Sequence, residues 1–311
     1  MKGPPPCVGQ ADTIKCRKAT GRIGCRKVNA FRTTLVTTAS VTRISVAMTA
    51  WMFPVSSMIT TVSNNCISRW SGALGIVAIV AIIRPAHADP RAVVELFTSQ
   101  GCSSCPPADK LMGELAKDPS IIALSMPIDY WDYLGWKDTL ADARFSARQK
   151  AYSHMRGDRD VYTPQAVVNG SVHVVGSDRA GIEGAIGQTD KDNAVMSVPV
   201  SMTVTGKQIN VSVAASHNGP AAMHGEVWIC SVSKEVPISI GRGENRGREI
   251  TYHNVVRNVL KVGDWNGSPG SWTVPLENIS REGVDAAAVY VQDGSRDKPG
   301  AMLGAAYTLL H

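Results

Sequence analysis

Acidic residues are almost absent from the first 88 residues of this chain. This segment holds one acidic residue, Asp12, against 11 lysines and arginines. Its last part is an apolar run at residues 73–83, which follows Arg69 and precedes an A-x-A sequence that ends at Ala88. A basic stretch, a short apolar run and an A-x-A site are typical of a secretory signal peptide. We therefore expect residues 1–88 to be a leader that is cleaved after Ala88.

Two further absences bear on where the protein resides. The apolar run at residues 73–83 is too short to span a bilayer comfortably, and no cysteine follows it to accept a lipid. We expect a periplasmic or secreted bacterial protein with no stable membrane anchor. Fifty-seven residues precede Met58, more than a signal peptide normally has before its apolar run. Met58 is therefore a candidate for the true start, and a long genuine leader is the alternative.

The basic character of the whole chain belongs to this leader. The formal net charge of the chain is +6, but residues 89–311 carry 21 basic and 25 acidic residues, a net charge near −4. A mature protein of this charge lacks the electrostatic basis for binding polyanions. We expect no nucleic-acid partner.

Cysteine is scarce after the leader, where only Cys102, Cys105 and Cys230 remain. In an oxidising compartment a close pair tends to form a disulfide, and an odd third thiol is either buried or reactive. Cys230 lies in the strand-like run of residues 226–232. Burial as a small hydrophobic residue is the favoured interpretation of Cys230.

The other two cysteines form a C-x-x-C motif, the most informative feature of the chain. The motif lies between a strand-like run, residues 92–98, and a helix-like run, residues 106–116. At such a junction the first sulfur lies near unpaired backbone N–H groups and the positive end of the helix dipole, which favour a thiolate. The second sulfur is one turn away, so that one cysteine can attack and the other resolve. A structural disulfide, half of a metal site and two unrelated thiols are the alternatives.

Hydrophobic patterning predicts two domains after the leader. Residues 89–190 alternate in the order β-α-β-α-β-β-α, and Asn169-Gly170 is a strong hairpin signal within them. Residues 195–311 contain short strand-like segments separated by Gly, Pro and Asn, which predict a mainly β, sandwich-like C-terminal domain. The seven predicted strands are residues 198–204, 209–214, 226–232, 250–262, 271–274, 286–291 and 301–309.

The predicted topology of residues 89–190 brings three loops to one edge of the sheet. The C-x-x-C motif follows the first parallel strand, and residues 129–136 follow the second. The third strand runs antiparallel and begins at the same edge with Thr163-Pro164. A proline at the start of this strand predicts a cis peptide bond beside the sulfurs.

These features resemble the thioredoxin fold over about residues 90–188, and the resemblance implies an α/β thioredoxin-like domain. More narrowly, the chain resembles a secreted proteobacterial family that is classed as thioredoxin-like and has no assigned function. The segments that carry this closer resemblance are residues 95–109, 130–138, 161–165, 243–248 and 252–257.

The resemblance implies roles for individual residues. Cys102 would be the attacking thiolate, Cys105 the resolving thiol, and Pro164 the residue that shapes a groove for the extended backbone of a partner. Glu95 lies near the place where thioredoxins keep a buried acid that moves protons for the resolving thiol. Its spacing to Cys102 is one residue longer, which can turn the side chain to the other face of the strand, and a solvated acid is the alternative.

The dipeptide between the cysteines is Ser-Ser, whereas relatives of the thioredoxin fold carry Gly-Pro or Pro-His. The reduction potential therefore cannot be transferred by analogy. We expect a serine hydroxyl to donate to the sulfur of Cys102 and to stabilise its thiolate, which would make the disulfide more oxidising.

Loop residues near the motif are the candidates for binding a partner. Thr163, Tyr130, Trp131 and Asp132 are expected to contact a substrate, with packing as the alternative. We expect Trp136 to pack instead. Aromatic residues interleaved with acids in a loop are not a normal core pattern.

Two other interpretations concern metals and anions. His154 and His173 do not stand at the spacing of a metal motif, so we expect neither a metal nor a cofactor. The loop of residues 241–249 carries three arginines and three glycines and can hold an anion. A mobile, charged hairpin tip is the favoured interpretation of this loop.

The sequence therefore predicts an exported thiol-disulfide oxidoreductase that acts on protein or small-molecule thiols and disulfides, with a redox partner that the sequence does not identify. One alternative is a noncatalytic thioredoxin-fold binding module with a structural disulfide. A periplasmic copper or zinc carrier is disfavoured, because no His or Met ligand stands beside the cysteines.

Overall fold

The structure is a computed structural model that describes residues 89–216 and 223–310. The predicted leader, with its candidate start at Met58 and its cleavage site after Ala88, lies outside the described residues. The described chain is a mixed α/β structure with one large, mostly β sheet. Every helix in the described ranges is too short or too polar to cross a membrane.

The first half of the described chain follows the predicted order of elements. Its elements are β1 (Ala92–Thr98), α1 (Pro106–Leu115), β2 (Ile121–Pro127), α2 (Ala143–Arg156), β3 (Gln165–Val168), β4 (Val172–Val175) and α3 (Arg179–Thr189). Pro106 and Pro107 occupy the first turn of α1, where a missing N–H is tolerated. Asp142 and Asp178 cap α2 and α3, because each accepts a backbone N–H of the first helical turn.

The hairpin between β3 and β4 turns at the predicted dipeptide. Asn169 and Gly170 both have positive φ angles, 48° and 70°. Ser171 donates its N–H to the carbonyl oxygen of Val168 and closes the turn. Two successive positive φ angles define the type I′ geometry, and Asn-Gly is the dipeptide that tolerates them best.

The second half consists of strands. They are β5 (Val200–Thr205), β6 (Gln208–Val213), β7 (Gly225–Ser239), β8 (Glu249–Trp265), β9 (Gly270–Pro275), β10 (Ala286–Ser295) and β11 (Lys298–Leu309). Each predicted strand has its counterpart. Strand β7, with 15 residues, runs seven residues past its predicted end, and β8, with 17 residues, runs three residues past its own. The two long strands pair along nearly their whole length, up to Ser239 and Glu249, and their connecting loop follows directly from this last pair.

The strands form two sheets, and the larger one joins both halves of the sequence. Its order is β11-β10-β7-β8-β2-β1-β3-β4, and the smaller sheet has the order β5-β6-β9. Strands β2 and β8 meet at the parallel pair Ser125 and Val255. The hydroxyl of Ser125 also donates to the carbonyl oxygen of His253 at 2.7 Å. Segments that the sequence pattern assigns to separate domains therefore share one sheet.

Three large apolar cores and a small cluster of Leu140, Tyr252 and Val255 stabilise the described part of the fold. One large core lies between the smaller sheet and the face of β7, β10 and β11 that it covers. The other two large cores lie on the two faces of β1: Val94 and Leu96 pack against α1 and α3, whereas Val93 and Phe97 pack on the side of α2. Burial of each such side chain stabilises the fold by about 2 kcal/mol. Strand β1 is central, with β2 parallel on one side and β3 antiparallel on the other.

Candidate functional site

A disulfide joins Cys102 and Cys105 at the junction of β1 and α1. Cys105 is the N-cap residue of α1, and its N–H donates to the carbonyl oxygen of Cys102 at 3.2 Å. Cys102 is 2% exposed and Cys105 is 0% exposed, whereas Ser103 and Ser104 between them are exposed. The sulfur atoms are therefore covered, and solvent reaches the motif at the two serines.

Ser104 connects the disulfide to the loop that precedes β3. Its Oγ lies 3.4 Å from the Sγ of Cys102 and donates to the carbonyl oxygen of Thr163, also at 3.4 Å. The predicted contact between a serine hydroxyl and the Cys102 sulfur is thus present. A hydroxyl has one proton to donate, so the sulfur and the Thr163 carbonyl compete for it. A thiolate at Cys102 would be the stronger acceptor of the two.

The three predicted loops meet beside the disulfide. The peptide bond between Thr163 and Pro164 is cis, and Pro164 is buried. The indole Nε1 of Trp131 donates to the Oγ1 of Thr163 at 2.8 Å. Gly101 permits this approach, because a Cβ there would stand 3.1 Å from the Cβ of Trp131. The ring of Tyr133, 78% exposed, stacks on Trp131 with centroids 6.3 Å apart.

Two other predicted binding residues make hydrogen bonds to neighbouring parts of the same domain half. The hydroxyl of Tyr130 donates to Gln149 at 3.1 Å, and burial raises the pKa of Tyr130 to about 12. Asp132 accepts the backbone N–H of Asp138 at 3.1 Å. Both side chains are half-buried. These contacts fit the packing alternative for Tyr130 and Asp132, while Trp131 stands next to the cis peptide.

Glu95 does not lie on the same side of β1 as α1. It is fully buried and accepts hydrogen bonds from Arg148 Nε at 2.8 Å and from the Tyr152 hydroxyl at 2.6 Å, both on α2. Helix α1 packs on the opposite face, against Leu96. The extra residue before the motif has turned the acid away, because successive side chains of a strand alternate between faces. Glu95 is therefore neither solvated nor directed toward the helix that carries Cys105.

Asp109 is a buried acid that the sequence reasoning missed. It lies on α1 four residues after Cys105, and its N–H donates to the Cys105 carbonyl oxygen at 3.1 Å. Its Oδ1 accepts from the hydroxyl of Thr98 at 2.7 Å, while its Oδ2 is buried without a hydrogen-bond partner among the described residues. Burial outweighs the Thr98 hydrogen bond and raises the pKa of Asp109 to about 8. The sequence feature that could have identified Asp109 is its position as an acid one helical turn after the second cysteine.

Two further buried polar groups interact electrostatically with Asp109. The carboxylate of Asp138 accepts the N–H groups of Gln100 and Leu140, both at 2.8 Å, and burial raises its pKa to about 6. The hydroxyl of Tyr252 is buried without a partner in the described part of the chain, and burial with the charges of Asp109 and Asp138 raises its pKa. Burial thus makes negative charge on each of these three groups more costly than in water.

The loop between β7 and β8, residues 240–248, lies against the C-x-x-C motif, and we call it the cover loop. The side-chain Nδ2 of Asn245 donates to the carbonyl oxygens of Gln100 and Cys102, at 2.9 and 2.8 Å. Ser103 donates its N–H to the Oε2 of Glu244 at 3.3 Å. Neither the predicted mobile tip nor the predicted anion site describes this docked arrangement.

Trp136 packs against the cover loop, as predicted. A Cβ on Gly241 would stand 3.2 Å from its ring, and one on Gly243 would stand 3.4 Å from its Cβ. The Nε1 of Trp136 donates to the Oε1 of Gln100 at 2.8 Å. Trp136 therefore links the cover loop to the residue that precedes Gly101 and Cys102.

The comparisons with known proteins identify a family without an assigned activity. The family model described as "Protein of unknown function (DUF1223)" matches residues 93–292, which is more than half of the chain. The chain belongs to this family. A protein from Agrobacterium tumefaciens, known from a structural-genomics crystal structure, is 32% identical with a TM-score of 0.65. The alignment covers 73% of this chain and 97% of that one. No curated protein matches the sequence.

The region matched by the DUF1223 model includes the disulfide, the cis peptide bond, Asp109 and the cover loop. His154 is exposed and makes no cluster with the cysteines. Among the described residues, His173 groups with the acids Asp158 and Asp160. Asp158 is also ion-paired with Arg156 at 2.8 Å, and a cation so close opposes metal binding.

The third cysteine of this DUF1223 protein is buried. Cys230 is 0% exposed in β7, and burial raises the pKa of its thiol to about 12. Such a thiol is not ionised near neutral pH and is a poor nucleophile. Among the three cysteines in the described chain, Cys102 and Cys105 are therefore the remaining candidates for sulfur chemistry.

Proposed function

We propose that this protein is an exported thiol-disulfide oxidoreductase whose first half, residues 89–190, is thioredoxin-like. The observation that supports this most directly is the disulfide at the start of α1, bridged by Ser104 to the carbonyl of Thr163 before a cis proline. The element order of the first half and its antiparallel β3 agree with the thioredoxin-like assignment.

The proposed reaction exchanges a disulfide for a dithiol. A substrate thiolate attacks the sulfur of Cys102, the Cys102–Cys105 bond breaks, and Cys105 leaves with the bonding electron pair as a thiolate that takes up a proton. The second thiolate of the substrate then attacks the mixed disulfide and releases Cys102. Two electrons pass from the dithiol to the protein. The reverse sequence reduces a substrate disulfide, and the potential of the partner sets the direction.

Asp109 is the buried acid available to the resolving cysteine. With a pKa of about 8, it holds a proton near neutral pH and releases it at little cost, which suits transfer to and from the Cys105 thiolate. Its position one turn after Cys105 on α1 supports this role. Glu95 lies on the opposite face of β1 from α1 and is bonded to Arg148, and this placement does not support the role.

A trapping experiment tests the proposal. In the Cys105→Ser variant the mixed disulfide cannot resolve, so exported bacterial proteins should remain bound to Cys102 through a bond that a reductant cleaves. The matched control is Cys102→Ser, which should trap nothing. If Cys105→Ser forms no adduct and the wild-type protein neither oxidises nor reduces a dithiol, the oxidoreductase proposal is refuted.

A noncatalytic binding module remains the second candidate, and the burial of both sulfurs favours it. In that function the disulfide would hold the start of α1 in place, and a partner would bind elsewhere. The two proposals differ in one readout. A module with a structural disulfide should keep its partner affinity in the Cys102→Ser, Cys105→Ser double variant, whereas an oxidoreductase should lose its adducts.

A further inference from the structure

We propose that Asn245 and Glu244 of the cover loop are positioning residues that hold the loop closed over the disulfide and release it when the disulfide is reduced. This inference rests on the proposed thiol-disulfide exchange. It adds that the β7–β8 hairpin, which belongs to the second half of the sequence, sets how easily Cys102 is reached and reduced.

Asn245 forms the clamp. It is fully buried within a loop whose other residues from Gly241 to Arg248 are exposed. Its Nδ2 supplies both of its hydrogens to two carbonyl groups, those of Gln100 and Cys102. An aspartate in the same place would bring a carboxylate against two carbonyl oxygens, so the site requires the amide. The clamp holds the cover loop against the backbone of Cys102, a residue that is 2% exposed.

Glu244 accepts a hydrogen bond from a backbone N–H group, that of Ser103, which would otherwise be available to a thiolate at Cys102. Backbone donors are few here, because α1 begins with Pro106 and Pro107, which have no N–H. The N–H groups of Cys102 and Cys105 already donate to backbone carbonyls. The N–H of Ser103 donates to Glu244. A carboxylate therefore lies at the positive end of α1, where a thiolate at Cys102 would be stabilised.

Reduction changes the charge at this point. A dithiol such as dithiothreitol gives two electrons to the disulfide and becomes a cyclic disulfide, leaving a thiol at Cys105 and, once ionised, a thiolate at Cys102. The new negative charge then competes with Glu244 for the same donor and repels its carboxylate. The two effects are linked thermodynamically: if a thiolate at Cys102 destabilises the closed loop, the closed loop disfavours reduction by the same free energy. The closed loop makes the disulfide harder to reduce, and reduction opens the loop.

Glu244→Gln tests the charge while keeping a hydrogen-bond acceptor. The ultraviolet absorbance of the thiolate should give a lower pKa for Cys102 than in the wild type. The equilibrium constant for reduction by dithiothreitol should rise about three- to tenfold at a pH where Cys102 is ionised. The matched control is Glu249→Gln, which removes an exposed acid at the first position of β8, directly after the loop, and should change neither quantity.

Asn245→Ala tests the clamp, and the rate of reduction by dithiothreitol should rise about tenfold, because two hydrogen bonds no longer oppose opening. Hydrogen exchange in wild-type protein is a readout that does not depend on the variants. The amides of Gly243–Arg248 should exchange faster in the reduced than in the oxidised form. Equal exchange in both forms, with no change in the dithiothreitol equilibrium of Glu244→Gln, would overturn the inference.

Different results would refute the oxidoreductase proposal and the proposed coupling of the cover loop to reduction. If Cys105→Ser traps no exported protein but Glu244→Gln shifts the dithiothreitol equilibrium, the coupling stands and the oxidoreductase proposal falls. If adducts form and neither Glu244→Gln nor Asn245→Ala changes reduction, the oxidoreductase proposal stands and the cover loop is only a structural lid.

Discussion

Replacing Asp109 by asparagine should remove a large loss of stability that the wild-type protein shows as the pH rises. The carboxyl of Asp109 has a pKa of about 8 in the folded protein, against 3.8 for an exposed aspartate. Between these values the unfolded chain has released a proton that the folded protein still holds, so stability falls as pH rises. Each pH unit in this window costs about 1.4 kcal/mol. From pH 5 to pH 8 the loss from this group is about 3.5 kcal/mol, because the folded protein begins to release the proton only near pH 8.

Urea unfolding of the oxidised protein at these two pH values measures the effect. The Asp109→Asn variant keeps the acceptor for the Thr98 hydroxyl and cannot ionise, so its stability should fall by about 3.5 kcal/mol less than that of the wild type. Asp118→Asn is the control. Asp118 is half-exposed in its ion pair with Arg91, its pKa is lowered by Ser120, and its removal should leave the loss between pH 5 and pH 8 unchanged.

An equal loss of stability in wild type and Asp109→Asn would refute the reasoning. It would mean that Asp109 ionises at an ordinary pH, and its proposed role as proton donor to Cys105 would fall with it. If the variant does not fold, NMR titration of the Asp109 carboxyl carbon in the wild-type protein decides the same question. A midpoint near 4 contradicts the burial argument, and one near 8 supports it.

Three further predictions concern other parts of the site. Arg148→Met leaves Glu95 buried without its cation and should cost about 3 to 5 kcal/mol in urea unfolding, while the rate of dithiol exchange per folded molecule stays constant. A lost exchange rate would place Glu95 in the reaction after all. Trp131→Phe removes the hydrogen bond to Thr163 and should raise the KM for a peptide dithiol about three- to tenfold with kcat retained; a change in kcat alone would contradict a binding role. Cys230 should resist iodoacetamide in the native protein and react only after denaturation, as mass spectrometry can measure.

Much of the first half was predictable because its signals are local. The C-x-x-C motif at a strand-to-helix junction, the Asn169-Gly170 turn and the proline after Thr163 each act through backbone conformation within a few residues. The contact of Ser104 with the Cys102 sulfur also follows from proximity in sequence. The seven strands of the second half were found in the same way, from period and turn residues.

Two acids illustrate why local signals were not sufficient. Glu95 and Asp109 stand on either side of the motif in sequence, and only Glu95 was proposed as a proton carrier. Which acid can serve the resolving cysteine depends on the face of β1 beside which the acid lies and on how fully the acid is buried. Packing against distant segments of the chain sets both properties. Tyr252, which contributes to the raised-pKa cluster, comes from a strand more than a hundred residues later.

The sequence alone determined where sulfur chemistry is possible, because the motif, its flanking strand and helix and the cis proline are properties of neighbouring residues. Only the tertiary structure decided how that sulfur is covered. The amide of Asn245 meets the carbonyl of Cys102 across 143 residues of sequence, because two long paired strands carry the cover loop back to the start of α1. The length of a hairpin is set by pairing and burial along the whole sheet, and no single segment of sequence encodes where its tip will lie.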